Sequence, residues 1–114
     1  MSIKNRDNAC HYHWGGTCDG WRLLDGDDLS VIEERMPPAT SEVMHAHDRA
    51  NQVFYVLAGR LTIEVEGAIH RLHPFDSLNI RPGQTHQARN ESKGQDVRFL
   101  VISAPTTRGD RQPA

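Results

Sequence analysis

An all-β sandwich or barrel is the fold class that the sequence predicts. Short segments rich in β-branched and aromatic residues recur about every ten residues, and Gly, Pro, Asp and Asn separate them. No helical period of useful length runs through the chain. The segments are LSVIEERM, NQVFYVLAG, RLTIEVEG, IHRLH, DSLNI, THQARN and VRFLVISA.

Tight turns indicate that successive segments pair as hairpins. Gly59 marks a turn between residues 52–57 and 60–66, and Gly67 marks the next turn. The sequence RPGQ at residues 81–84 forms a third turn, because Pro and Gly favour the backbone angles that turns need. Segments that are neighbours in sequence are therefore expected to be neighbours in the sheet.

The chain is expected to form one domain with two dissimilar ends. Its 114 residues are enough for one compact domain. We predict an N-terminal arm over residues 1–20 that packs on the barrel or on a partner subunit. A barrel is predicted over residues 21–105, followed by a flexible tail over residues 106–114.

The composition predicts a soluble, cytoplasmic protein. The net charge is -2 without a basic stripe, which argues against nucleic acid as a partner. No apolar run reaches the roughly 20 residues of a membrane helix, and the N-terminus has no apolar signal segment. In a reducing cytoplasm, Cys10 and Cys18 are expected to be free thiols rather than a disulfide.

Four polar side chains are candidates for a metal site. His45 and His47 share one face of a strand, because side chains at i and i+2 point the same way. Gln52 opens the following strand, and His86 follows the Pro-Gly turn. A pair of alternating histidines alone is more often a polar sheet face. The four donors together favour one site, and imidazole suits Fe, Co, Ni, Cu and Zn.

These segments resemble the first of two signature motifs of the cupin superfamily, G-x5-H-x-H-x3,4-E-x6-G. His45 and His47 match its histidines, and Gly59 matches its closing glycine. Gln52 stands at the glutamate, and Ala39 replaces the opening glycine.

The second cupin motif, G-x5-P-x-G-x2-H-x3-N, is matched at Gly83, His86 and Asn90. Phe75 stands at its first glycine and Arg81 at its proline. The resemblance implies an all-β double-stranded β-helix, or jelly-roll, barrel. It also implies one divalent transition metal (Fe, Zn, Ni, Mn, Co or Cu) held inside the barrel, and a homodimer formed by sheet pairing or arm exchange. The implied ligands are His45, His47, Gln52 and His86.

Glutamine in place of glutamate changes the charge of the expected site. Gln52 supplies a neutral carbonyl oxygen, so the bound ion keeps its full charge and favours anionic, chelating substrates. A three-His, one-Gln shell also occurs in a group of small cupins that open unsaturated uronates. That group carries an aspartate within L-D-V-F-T-P, whereas Val101 stands at this position in FLVISAP.

The resemblance implies a small metalloenzyme, of dioxygenase or isomerase type, that acts on an anionic small molecule. The alternative is a non-catalytic small-molecule sensor or binding protein. Arg35, Phe54, Phe99 and Val101 are candidate substrate-binding residues, and no catalytic residue is assigned. Arg35 either faces solvent or points inward and binds a carboxylate. The expected inward face is mainly apolar, with few carboxylates: Val43, Phe54, Val56, Leu78, Ile80, Ala88, Phe99 and Val101.

The N-terminal segment contains a second group of possible ligands. These are Cys10, His11, His13 and Cys18. A second metal site is conceivable, but a structural role is expected because the segment is terminal and contains glycines. Trp14 and Trp21 are expected to pack as aromatic lids or interface anchors.

Overall fold

The protein consists of strands joined by turns. The computed structural model describes residues 2–114, and within them no residue is helical, so no helix is long and apolar enough to cross a membrane. The strands are β1 (Cys10–Trp14), β2 (Cys18–Asp25), β3 (Ser30–Met36), β4 (Thr40–Ser41), β5 (His45–Ala46), β6 (Asn51–Ala58), β7 (Leu61–Val65), β8 (Ala68–Leu72), β9 (Ser77–Ile80), β10 (His86–Asn90), β11 (Val97–Ala104) and β12 (Gln112–Pro113). The all-β prediction is confirmed.

The strands form two antiparallel sheets. The first sheet has the order β1-β2-β3-β11-β6-β9, and the second has the order β12-β5-β10-β7-β8, with β4 also paired to β10. The hairpin expected at Gly67 is confirmed, because β7 and β8 pair directly across it. The hairpins expected at Gly59 and at residues 81–84 were wrong, because β6 and β7, and likewise β9 and β10, lie in different sheets. The turn at Gly59 carries the chain from one sheet to the other.

The core lies between the two sheets and follows the alternation of each strand. In β11 every second side chain is buried, which places Val97, Phe99 and Val101 against the opposite sheet. Burial of the expected inward residues is confirmed for Phe54, Val56, Ile80, Ala88, Phe99 and Val101. Leu78 is half-buried against this core.

Val43 does not lie on the inward face, and this prediction was wrong. Its side chain is 69% exposed. The strand that carries the histidines begins only at His45, so the alternation assumed from Val43 onward does not extend back to it.

Both ends of the chain join the sheets. β1 and β2 extend the first sheet as a hairpin, and β12 pairs with β5 of the second sheet. Asp110, within the segment expected to be flexible, is 1% exposed. The division into arm, barrel and tail stays a prediction, but the structure packs both end segments against the barrel. Cys10 and Cys18 are free thiols, as expected.

Gly59→Ala is expected to destabilise the fold more than Gly67→Ala. Both glycines have positive φ (78° and 82°), which costs an L-residue about 1–2 kcal/mol. A β-carbon at Gly59 would also meet the backbone carbonyl of Asp96, whereas one at Gly67 meets nothing within 4 Å. Thermal unfolding of the two variants checks this. Equal losses would show that the backbone contact at Gly59 does not matter.

Candidate metal centre

Three histidines from two strands and a loop converge between the sheets. His45 and His86 face each other in the pairing of β5 with β10, and their ring centroids are 4.4 Å apart. His47 follows β5 directly, and one ligand atom from each of the three rings lies within 4.8 Å of the others. All three side chains are buried. The pairing of β5 with β10 thus brings together His45 and His86, which are about forty residues apart in the sequence.

Hydrogen bonds from the rings orient the histidines. The Nδ1 atom of His45 lies 2.7 Å from the Val43 carbonyl, and that of His86 lies 3.0 Å from the Gln84 carbonyl. Carbonyls only accept, so we assign the proton of each ring to Nδ1. The lone pair is then on Nε2, the arrangement found in metal-binding histidines. The buried Nε2 atom of His86 has no protein partner.

Asp110 fixes the third histidine and the loop that follows it. Its backbone carbonyl accepts from His47 Nδ1 at 2.6 Å. Its carboxylate accepts from the backbone N–H groups of Asp48, Arg49 and Ala50 at 2.8, 3.0 and 3.0 Å. Burial raises the pKa of the Asp110 carboxyl, but these three hydrogen bonds outweigh it and hold the pKa below its usual value.

Gln52 is oriented in the same way. Its Nε2 atom donates to Ser103 Oγ at 3.1 Å, across the pairing of β6 with β11. Its Oε1 atom is buried and has no hydrogen-bond partner. A buried carbonyl oxygen without a partner is costly, and a cation would satisfy it.

The donor set fits a divalent metal ion. Burial lowers the pKa of His45 to about 4 and also lowers that of His86, so both rings are neutral at neutral pH. Neutral imidazoles are the form that binds metal. Two of the four donor atoms are otherwise unpaired in a buried site. Three of the expected ligands, His45, His47 and His86, therefore converge, and Gln52 lines the same cavity as His45 and His47; that the four bind one ion stays a prediction.

The ligands border a cavity of about 230 Å³ that contains some of the expected substrate-binding residues. Phe54 and Val101 line it together with His45, His47 and Gln52. The remaining lining residues are Tyr12, Trp14, Arg22, Ile32, Glu34, Glu42, Ser103, Thr107 and Arg111.

Arg35 and Phe99 lie outside this cavity. Arg35 extends from the other face of β3 and binds Asp19 and Asp96, with N–O distances of 2.6 and 3.0 Å. Adjacent residues of a strand point to opposite sides of the sheet. Glu34 of β3 points into the cavity, so its neighbour Arg35 points away from it. Phe99 is fully buried behind Phe54, and the two rings stack at 5.8 Å.

Two carboxyl groups line the cavity, which corrects the expectation of a mainly apolar interior. Burial, followed by the nearby charge of Glu42, raises the pKa of Glu34 to about 8. Burial likewise raises the pKa of Glu42 to about 7, although its Oε1 atom accepts from the Ala88 N–H at 2.9 Å. Both carboxyls can therefore exchange protons near neutral pH.

Tyr12 and Arg22 bring the N-terminal hairpin into the cavity. The Tyr12 ring crosses Gly20, its partner in the pairing of β1 with β2, so closely that a β-carbon at Gly20 would overlap the ring. The Arg22 guanidinium lies 4.5 Å from the centroid of this ring. Burial, then the charge of Glu34, raises the pKa of the Tyr12 hydroxyl. The hydroxyl stays protonated and lies beside Glu34.

One of these additional residues had a signal in the sequence. Glu34 alternates with the apolar Ile32 and Met36, so a polar residue stands on the buried face of β3. Tyr12 and Arg111 had no such signal in the sequence. Their segments are placed on the barrel by the pairing of β1 with β2 and of β12 with β5, which no local pattern indicates.

Raising the pH from 6.5 to 8 is expected to destabilise the metal-free protein. Glu34 and Glu42 keep protons in the folded state that the unfolded chain, with pKa values near 4.5, has already released. The folded state then binds more protons, so the free energy of unfolding falls as pH rises. The lowered histidine pKa values affect stability only below about pH 6.5. Urea unfolding at several pH values measures the slope.

Glu34→Gln is expected to reduce this dependence most above pH 7, where Glu34 holds most of the protons that remain to be released. The exposed Glu66→Gln is a matched control and should keep the wild-type slope. An undiminished slope in Glu34→Gln would contradict the assignment.

Comparisons with known proteins agree with this geometry. The fold and the four donors define a jelly-roll barrel with a three-His, one-Gln site. The sequence model of the family described as "Cupin domain" matches residues 32–103. The chain belongs to the cupin family. The predicted double-stranded β-helix is confirmed.

Individual relatives are more distant. The chain is 28% identical over 88 residues to quercetin 2,3-dioxygenase of Bacillus subtilis (strain 168), covering 65% of this chain and 26% of that protein. It thus spans about a quarter of the length of this curated relative. An RmlC-like cupin from Shewanella frigidimarina has a TM-score of 0.84 at 21% identity, over 96% of this chain and 95% of that one. KdgF from Halomonas sp. has a TM-score of 0.83 at 20% identity, over 93% and 94%.

Proposed function

We propose that the protein is a metal-dependent enzyme that moves a proton on an anionic small molecule, as isomerases do. The observation that carries this is Glu34, whose carboxyl has a pKa raised to about 8 and which lines the same cavity as His45, His47 and Gln52. A group with such a pKa can both donate and accept a proton at neutral pH.

The charge of the cavity favours an anion. Arg22 and Arg111 both line it, while the raised pKa values keep Glu34 largely protonated and Glu42 partly protonated near pH 7. A divalent ion on His45, His47, Gln52 and His86 would supply Lewis-acid polarisation of a chelated oxygen, with its charge undiminished by a ligand carboxylate.

The chain's own residues divide the remaining tasks. The guanidinium of Arg111 can pair with a substrate carboxylate, since planar guanidinium groups bind carboxylates bidentately. Phe54 and Val101 form an apolar wall that excludes water from one side. Glu34, with the Tyr12 hydroxyl beside it, is positioned to hold the proton that leaves and returns to a carbon next to the polarised group.

Dioxygenase activity is the second candidate. The similarity to quercetin 2,3-dioxygenase of Bacillus subtilis supports it, together with the apolar wall of the cavity. Such chemistry needs an electron-rich organic substrate and O2, and it depends less on side-chain acids.

Proton exchange with D2O separates these functions. Metal-loaded protein is incubated in D2O with 2-oxo carboxylates, uronates, β-diketones and catechols, and deuterium incorporation is followed by NMR. An isomerase exchanges a carbon-bound proton of one compound, and Glu34→Gln loses this exchange while its metal content stays unchanged. Glu66→Gln, which is exposed, serves as the control.

The same incubation identifies the alternatives. Consumption of O2 without deuterium incorporation would support the dioxygenase. A compound that raises the melting temperature with neither reaction would support a sensor or binding protein. Exchange that persists in Glu34→Gln would remove Glu34 from the proposal.

A further inference from the structure

A second group of ligand-type side chains lies on the outer face of the N-terminal hairpin. Tyr12 and Trp14 of β1 point into the cavity, so His11 and His13 point the opposite way. Asp19 of β2 pairs with His13 across the hairpin and shares its face. One ligand atom from each of His11, His13 and Asp19 lies within 4.8 Å of the others.

The donor set differs from the one considered from the sequence. Cys10 lies on the same face of β1 as Tyr12, away from the two histidines. Cys18 pairs with Trp14 and is buried in the core. Neither sulfur atom belongs to the cluster in the structure. The carboxylate of Asp19 is its third donor, which gives two nitrogen donors and one oxygen donor.

One of the two donor distances matches a metal shell, and the other, a hydrogen bond between His11 and Asp19, is slightly shorter. Asp19 Oδ1 lies 2.7 Å from His11 Nε2 and 3.2 Å from His13 Nδ1. Ligand atoms about 2.0–2.2 Å from one metal ion are roughly 2.9–3.5 Å apart. A cation between these atoms therefore requires only small rotations, and the exposed His13 side chain is free to make them.

The four-donor site offers an internal comparison. The rings of His11 and His13 have a centroid distance of 4.7 Å and an interplanar angle of 80°. The rings of His45 and His47 have a distance of 4.9 Å and an angle of 78°. Both are His-x-His pairs, and the two pairs have nearly the same mutual geometry.

The surrounding residues hold the cluster in place. Arg35 binds Asp19 through Oδ2 alone, with Nε and Nη2 at 2.7 and 2.6 Å, which leaves Oδ1 for the histidines. Asp96 balances the charge of Arg35 at 3.0 Å. Trp21 stacks on His11 at 5.2 Å and fixes the plane of that ring. Outer partners of this kind orient metal ligands.

We propose that His11, His13 and Asp19 form a second divalent-metal site, separate from the barrel site. Its two imidazoles and one carboxylate suit late first-row ions such as Zn²⁺, Ni²⁺, Co²⁺ and Cu²⁺. The exposed position leaves coordination sites for water. With three protein donors and a guanidinium next to the carboxylate, it binds more weakly than the four-donor site.

Zn²⁺ titration of metal-free protein by calorimetry tests the site. The wild type is expected to bind about one Zn²⁺ more per chain than His13→Ala, with a weaker phase that the variant lacks. The exposed His73→Ala is a matched control, since it lies at a distance on the barrel surface and should retain both phases. His47→Ala should lose the tighter phase and keep the weaker one.

The Trp21 ring supplies a local readout. Bound Cu²⁺ at His11 should quench the fluorescence of Trp21, and the weaker phase of quenching should be absent in His13→Ala and in Trp21→Phe. Because His13 is exposed, its replacement is expected to leave the fold intact, and circular dichroism checks this. Equal Zn²⁺ stoichiometry and equal quenching in His13→Ala and the wild type would overturn the proposal, whatever the fate of the barrel site.

Discussion

His47→Ala is expected to weaken metal binding at the barrel site by more than about 100-fold. Loss of an outer partner already costs about 10- to 100-fold, and this variant removes a ligand atom itself. The neutral shell adds to the loss, because none of the three donors that remain is a carboxylate that could attract the cation by its charge. Inductively coupled plasma analysis of purified protein and Zn²⁺ titration measure the effect.

The control for this experiment is His73→Ala, an exposed histidine beside Asp76. It should bind as the wild type does. Working in the His13→Ala background removes the proposed second site from the titration. Metal content that is equal in His47→Ala and His73→Ala would show that the three converging histidines do not bind metal.

Asp110→Ala is expected to lower both stability and metal affinity. The variant leaves three backbone N–H groups, at Asp48, Arg49 and Ala50, without their acceptor. An unsatisfied buried donor costs about 1–3 kcal/mol, so a total loss of about 3 kcal/mol is expected. Metal affinity falls because the loop between His47 and Gln52 is no longer held. Thermal unfolding and Zn²⁺ titration report the two effects.

Asp110→Asn measures how much of this loss depends on the carboxylate. Both variants keep the backbone carbonyl that binds His47, but the amide also keeps one acceptor oxygen for the loop, so an intermediate loss is expected. Asp28→Ala, at an exposed aspartate, should change neither property. If Asp110→Ala melts at the temperature of Asp28→Ala, the buried carboxylate does not support the loop.

Part of the metal shell could be predicted from the sequence because the spacing of its first two histidines is local. His45 and His47 are two residues apart, and strand alternation alone puts them on one face. The turns at Gly59 and at residues 81–84 carry the chain between the two sheets, so turn rules alone do not place Gln52 and His86. These two were assigned to the shell through the resemblance of two motifs to a known family.

The remaining cavity could not be predicted, because it depends on long-range contacts. Arg111 and Asp110 reach the site from a segment with no apolar periodicity, so no local pattern indicated that it packs on β5. Tyr12 reaches it because Gly20 lets an aromatic ring cross the neighbouring strand. The sequence allowed Arg35 two orientations. In the structure it points outward to Asp19 and Glu34 points into the cavity, because adjacent residues of a strand face opposite sides.

The hydrogen bond from His47 to the Asp110 carbonyl has a consequence for the order of folding. It joins residues 63 positions apart. Closing so long a loop costs chain entropy before the contact is gained, whereas the pairing of β7 with β8 involves neighbouring segments. The local hairpins are therefore expected to form first, and the hydrogen bond that orients His47 is among the later contacts to form.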